Sequence, residues 1–262
     1  MLAYVHIPFC HRICPYCSFF KHTPGNTNIR AFVDALVAEA RHRAPLLPAP
    51  PRTLFLGGGT PSMLSPGHLT RLLDGLRDAL GTATFDELTI EANPATFDTR
   101  KARHFLDSGV TRVSLGVQSF DPQVLATLGR EHTPDQAARS ARILRQAGVP
   151  SLNIDLMFAV PGQSLDCWRS TLEQALSLAP DHVSAYNLTY EEDTAFFQQL
   201  GTGRFHDDPA FGEQCFQLAR EMLAAAGFDH YETSNHARPG HRSAHNQGYW
   251  QGEDYLGLGP SA

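Results

Sequence analysis

The chain has 262 residues, 42% hydrophobic and 18% charged, an ordinary globular composition long enough for two small domains or one α/β barrel without disulfide support. A net charge of −6, a pI near 6.1 and no long basic run argue against nucleic acid as a partner, because phosphate binding needs a concentrated positive patch. No apolar run approaches the roughly 20 residues of a membrane span, and Met1–His6 lacks the basic start of a signal peptide, so the cytosol is the expected compartment.

Strand and helix patterns alternate along the chain. β-rich runs are expected at Leu2–Ile7, Thr53–Leu56, Leu88–Glu91, Arg112–Val117, Leu152–Leu156 and His182–Leu188. Helical patterns lie between them at Ile29–Arg43, Thr99–Ser108, Asp135–Ala147 and Leu165–Leu178. The clearest helix starts at Ser65-Pro66, puts Leu69, Leu72, Leu73, Leu76 and Leu80 on one face, and stops at Gly81. Six β-α repeats predict an α/β fold with a parallel sheet curling into a partial barrel, its functional groups at the C-terminal ends of the strands. Polar or glycine clusters do follow the strands: Cys10–Cys17, Gly57-Gly58-Gly59-Thr60, Glu91-Ala92-Asn93, Gln118-Ser119 and Asp155. After about residue 190 the pattern changes to an amphipathic helix near Pro209–Ala226 and a stretch carrying His230, His236, His241 and His245. The expected division is a barrel core over residues 1–200 and the start of a smaller α+β region over 201–262.

Five cysteines is an odd number, and three of them form Cys10-x-x-x-Cys14-x-x-Cys17 directly after the first strand. In a chain without export signals such a cluster reads as metal ligands rather than a disulfide framework. Three thiolates on one loop can hold three irons of a 4Fe-4S cubane and leave the fourth iron open. Zinc, with His11 or His22 as fourth ligand, and plain buried cysteines remain alternatives on spacing alone. Cys167 and Cys215 fall in helical segments and read as packing residues.

The segment Tyr4-Val5-His6-Ile7-Pro8-Phe9-Cys10-His11-Arg12-Ile13-Cys14-Pro15-Tyr16-Cys17 resembles the signature of the radical SAM superfamily. More narrowly, the chain looks like the coproporphyrinogen-dehydrogenase-like branch that contains HemN and HemW, over essentially its whole length. The resemblance implies a (β/α)6 partial barrel, a cluster on Cys10, Cys14 and Cys17, and S-adenosylmethionine chelated to the open iron. In that superfamily an electron from the cluster cleaves the sulfonium and releases a 5′-deoxyadenosyl radical. It further implies cofactor contacts at Tyr4, Tyr16, Gly58, Gly59, Thr60, Glu91, Gln118, Arg130 and Asp155. Arg130 suits the methionine carboxylate, Gln118 and Asp155 the ribose hydroxyls, and Glu91 the amino or ribose groups. From the residues alone, the glycines also fit a tight turn, Glu91 a solvated strand end, Tyr16 a packed loop aromatic, and Arg130 or Asp155 a structural ion pair.

Two features separate the members of the branch. HemN-type oxidases carry a fourth cysteine two residues beyond the third, and Phe19 stands there in this sequence. His245-Asn246-Gln247-Gly248-Tyr249-Trp250 resembles the HNxxYW motif of HemW-like heme chaperones, which implies heme contacts at His245, Asn246, Tyr249 and Trp250. The motif sits in a segment that reads as irregular, where Tyr249 and Trp250 also fit core aromatics and His245 a surface or capping residue. The resemblance implies a heme chaperone whose partners are heme and heme-accepting respiratory membrane proteins, working in the cytoplasm or at the inner membrane face. It leaves open whether the cofactors serve dimerisation, regulation or a reaction. The other reading is an oxygen-independent coproporphyrinogen III dehydrogenase, against which Phe19 argues. HemW-like chains usually continue beyond the Gly-Pro found at Gly259-Pro260, so the C-terminal region is expected to be incomplete.

Overall fold

The computed structural model describes residues 1–262. Strands β1 (Leu2–Ile7), β2 (Thr53–Gly58), β3 (Glu87–Ala92), β4 (Arg112–Gln118), β5 (Ser151–Phe158) and β6 (His182–Asn187) lie side by side in chain order, all parallel. Helices α1 (Ile29–Arg43), α2 (Pro66–Leu80), α3 (Thr99–Asp107), α4 (Pro122–Thr127), α5 (Pro134–Ala147) and α6 (Leu165–Ser177) connect them. The chain then forms α7 (Ala195–Gly201), α8 (Pro209–Ala225), β7 (Asp229–His230), β8 (Asn235–Ala237), α9 (Ala244–Trp250) and β9 (Tyr255–Leu258).

The sheet has nine strands in the order β7-β8-β6-β5-β4-β3-β2-β1-β9 and does not close on itself. This is the α/β partial barrel expected from the repeats. Residues 201–262 extend the same sheet at both edges: β8 pairs antiparallel with β6, and β9 pairs parallel with β1.

The strands alternate strictly. Leu88, Ile90, Val113, Leu115, Leu152, Ile154 and Val183 point outward and are buried beneath the helices. Their neighbours Thr89, Glu91, Arg112, Ser114, Asn153, Asp155, His182 and Ser184 point inward and line a cavity. A closed barrel fills its interior with Val, Ile and Leu; this one keeps a polar interior and leaves space.

Outside, the helices seal the apolar face. Ser65 accepts from the His68 N–H and starts α2, and Gly81 closes it in the left-handed region at φ 65°. The five leucines of its expected face are all buried, each contributing about 1.5–3 kcal/mol of burial. Thr133 and Gln136 form a capping box at the start of α5. The helices α4, α7 and α9 and the strands β7 to β9 are absent from the sequence expectations. Each is at most seven residues, too short to express a periodicity.

Candidate functional site

A single cavity of about 760 Å³ runs through the barrel interior. Its mouth is built by the loops after the C-terminal ends of the strands. Its other end is covered by α9, which contacts Thr53 and Glu87 at the starts of β2 and β3. Cys10, Cys14, Cys17, Tyr4, Tyr16, Gly58, Gly59, Glu91, Gln118, Arg130, Asp155, His245, Asn246 and Tyr249 all line it. Thr60 and Trp250 do not.

The cysteine loop is pinned at both ends. The Cys10 N–H donates to the His22 carbonyl at 3.1 Å, and the His22 N–H donates to the Pro8 carbonyl at 2.9 Å. His6 ties the loop to the strand. Its Nε2 donates to the Phe20 carbonyl at 2.7 Å, which leaves Nδ1 to accept from the Tyr4 hydroxyl at 3.1 Å. All three thiols are free and half-buried, and burial pushes those of Cys10 and Cys17 up. No three His, Cys, Asp or Glu side chains converge on a single ion position. A cubane asks for something else, one thiolate on each of three irons, and three free thiols on one loop supply that set. His11 is exposed, and His22 packs edge-on against Phe9, so the donor set fits a cubane better than a four-ligand zinc site.

Beside the loop stands the glycine turn. A Cβ on Gly58, at φ 109°, would sit 2.6 Å from the His6 ring, and one on Gly59 would sit 2.7 Å from the Pro8 carbonyl carbon. The glycines let the turn approach the cysteine loop, so the tight-turn reading accounts for part of the motif. Thr60 is buried beneath it, directing its hydroxyl at Cys10 Sγ at 3.7 Å and accepting from Asn93 Nδ2 at 2.8 Å. It supports the loop rather than facing the cavity.

Glu91 accepts from the Gly58 N–H at 3.0 Å and has no cationic partner. Burial, then the charge of Asp155, push its pKa up to about 8. Asp155 accepts from Ser114 Oγ at 2.9 Å and Asn153 Nδ2 at 2.6 Å, yet burial still raises it. Arg130 donates through Nη2 to Asn93 Oδ1 at 2.5 Å and the Gly116 carbonyl at 2.6 Å, and reaches Cys14 Sγ at 3.8 Å through Nη1. Its Nε is buried without a partner. Neither Arg130 nor Asp155 takes part in an ion pair, so the structural ion-pair reading fails for both. Gln118 sits at a bulge in β4 with φ 68°, a left-handed conformation rare outside glycine. Tyr16 lies between the cavity and Phe196, its ring centroid 6.1 Å from that ring. The mouth therefore gathers two carboxylates lacking a cation, a guanidinium lacking an anion, and three thiols. That set suits a ligand carrying both an ammonium and a carboxylate.

The far end is different. Glu87, 7% exposed, pairs with Arg112 Nε at 3.0 Å and also accepts from Ser243 Oγ and the Ala244 and His245 N–H groups, each at 3.0 Å. It thereby caps α9. Burial raises its pKa, but Arg112 and the backbone donors outweigh this and hold it below the ordinary carboxylate range. Gly248 permits the close docking, since a Cβ there would meet the Leu2 side chain at 2.7 Å.

The HNxxYW segment is thus helical, not irregular, and its burial runs opposite to the core-aromatic reading. His245 is 1% exposed, while Tyr249 is 40% and Trp250 66% exposed. His245 Nδ1 meets Thr53 Oγ1 at 2.8 Å and Nε2 meets the Tyr249 hydroxyl at 3.1 Å. Burial lowers its pKa to about 4, so the ring is neutral. Trp250 Nε1 donates to Glu232 at 3.0 Å, outside the cavity. Cys215 is buried beside Trp168, and Cys167, on α6, packs against the small apolar cluster of Val124, Leu128, Val160, Leu188 and Phe196.

Several cavity residues escaped the sequence reading: Ser114, Asn153, His182, Ser184 and Tyr186. Their signal was present as alternation with apolar residues along β4 to β6.

The profile of the Radical SAM superfamily matches residues 4–175. Coproporphyrinogen III oxidase HemN from Escherichia coli, a radical SAM enzyme, superposes with a TM-score of 0.84 and 28% identity, covering 99% of this chain and 63% of its own. The chain belongs to the radical SAM superfamily. Heme chaperone HemW of Escherichia coli K12 is 40% identical over 267 residues, covering 99% of this chain and 68% of the chaperone. The mitochondrial radical S-adenosyl methionine domain-containing protein 1 of Danio rerio is 35% identical, with 59% of its length covered. Within the superfamily, the chain therefore belongs to the HemW branch.

No helix is long and apolar enough to cross a membrane.

Proposed function

We propose that this chain is a heme-handling radical SAM protein that holds a 4Fe-4S cluster on Cys10, Cys14 and Cys17. S-adenosylmethionine occupies the cavity mouth, with Glu91 beside its amino group, Arg130 on its carboxylate, and Gln118 and Asp155 at the ribose. When bound, the cluster supplies the electron that the superfamily uses to open the sulfonium. Heme is the cargo, received at α9 and delivered to respiratory membrane proteins from the cytoplasmic side. One observation carries this reading: the thiol loop and the HNxxYW helix line the same cavity, in a chain 40% identical to a heme chaperone.

Anaerobic iron, sulfide and heme content of the purified chain tests it. Substoichiometric iron after reconstitution would remove the cluster, and failure to retain added heme would remove the chaperone role. The structural likeness to HemN keeps oxygen-independent coproporphyrinogen III dehydrogenase as a second reading. Phe19, 65% exposed at the cavity mouth where the oxidases carry a cysteine, weighs against it. Conversion of coproporphyrinogen to protoporphyrinogen by the reduced protein with S-adenosylmethionine would reverse that preference.

A further inference from the structure

The one histidine of the HNxxYW segment is poorly placed to bind iron. His245 is 1% exposed, and both ring nitrogens are engaged, Nδ1 with Thr53 Oγ1 at 2.8 Å and Nε2 with the Tyr249 hydroxyl at 3.1 Å. Ligation through Nε2 would require Tyr249 to leave, and ligation through Nδ1 would require the ring to leave its place beneath Phe55, 5.1 Å away. The accessible donor atom is the phenol. Tyr249 lines the cavity and is 40% exposed, with its ring edge-on to Tyr255, which is 53% exposed and lines the same wall.

We propose that Tyr249 Oη, not an imidazole of His245, is the atom that meets the iron of ferric heme, and that His245 is a positioning residue behind it. This assignment rests on the heme-handling reading above. The hydrogen bonds define a relay: with its proton on Nδ1, His245 donates to Thr53 and accepts from the phenol at Nε2. As the iron–oxygen bond forms, the O–H bond breaks and its proton passes to Nε2 across the existing contact; the imidazolium so formed is disfavoured by burial and is held only while the iron holds the phenolate. No electron moves, and the iron stays ferric. Tyrosine is an established type of heme ligand, in which the bound form is the phenolate. The exposed Tyr255 ring beside it offers an apolar wall for a porphyrin face. The design suits cargo, because protonating the phenolate from His245 releases the iron without moving the backbone of α9.

The test is a titration of the full chain with ferric heme, followed by absorption, electron paramagnetic resonance and resonance Raman spectroscopy. Tyr249→Phe is the primary variant, since it removes a single oxygen from a half-exposed ring and keeps the ring itself. We expect wild type to show a high-spin ferric spectrum with phenolate vibrations. Tyr249→Phe should lose those vibrations and bind about tenfold or more weakly. His245→Gln should keep the phenolate vibrations with weaker binding, and circular dichroism checks that this buried variant remains folded. Wild-type spectra and affinity in Tyr249→Phe overturn the assignment while leaving the heme reading intact, as does a low-spin imidazole spectrum that His245→Gln abolishes. Absence of heme binding by wild type overturns the heme reading, and this assignment with it.

Discussion

The two ends of the cavity are both polar and both buried, yet they are finished differently. At the α9 end every oxygen of Glu87 has a partner, and the carboxylate is shared between Arg112, Ser243 and two helix N–H groups. At the thiol end Glu91 and Asp155 lie near each other with neither in an ion pair, and Arg130 Nε has no partner. Burying charge without compensation is costly, so a fold tolerates it chiefly where something else is to bind. Glu87 serves the folding of the protein, whereas no ion pair in the fold accounts for Glu91, the residue proposed above to meet a ligand. Two glutamates four residues apart on one strand thus answer to opposite pressures.

The sharpest way to break the comparison is at the thiols. Cys14→Ala should abolish bound iron and the brown chromophore together; retention of both would show that the mouth is not a cluster site. Next come the two glutamates. Glu87→Gln should lower unfolding free energy by about 3–5 kcal/mol in urea titrations, because it strands the Arg112 charge and weakens the cap of α9. Glu91→Gln should leave ligand-free stability unchanged or raise it, since it removes a charge that burial disfavours. Equal losses in both would erase the distinction. The pH dependences have opposite signs. Glu87 is depressed in the folded state, so its contribution is present above the ordinary value of 4.5 and is lost as pH falls through the folded value. Glu91 is raised, so stability of the empty site falls as pH climbs from 4.5 towards about 8.

The same shift governs binding. A ligand ammonium favours the charged carboxylate, so it must draw a proton off Glu91 at any pH below about 8. S-adenosylmethionine affinity should therefore rise with pH by up to about tenfold per unit between 6 and 8 and level off above, as calorimetry can follow. Glu91→Gln should bind more weakly and lose that slope. A slope that survives in Glu91→Gln would assign the titration to another group.

How much of this was legible in the sequence follows from what each signal depends on. The six parallel strands and α2 were readable because a leucine stripe and its caps are local properties. The Cys10–Cys17 loop stood out because the spacing of three cysteines is a local property too. The α9 end was not. Its helix is seven residues long, and the partners that hold it, Thr53 and Glu87, lie 192 and 158 residues away from His245. The burial of His245 and exposure of Trp250 were hidden for the same reason. The polar interior was within reach, because Glu87, Thr89, Glu91 and Asn93 alternate with Leu88, Ile90 and Ala92. Such alternation usually marks a strand with one face in water; here the polar side is turned inward, and only the curling of the open sheet decides which.

Asn93 gives the smallest and most diagnostic effect, since it joins Thr60, which supports the thiol loop, to the guanidinium. It donates to Thr60, which itself supports Cys10, and accepts from Arg130. Asn93→Ala removes one hydrogen bond to a charged group, worth about 1.5–3 kcal/mol when the partner stays buried. Arg130 keeps its bond to the Gly116 carbonyl, so part of that loss should be recovered by reorientation towards the cavity. The expected outcome is S-adenosylmethionine affinity weakened about three- to tenfold, with iron content unchanged. Loss of iron in this variant would instead tie Asn93 to the thiol loop through Thr60. An unchanged affinity would mean that the orientation of Arg130 does not matter to the ligand, and that its carboxylate partner must be sought elsewhere in the mouth.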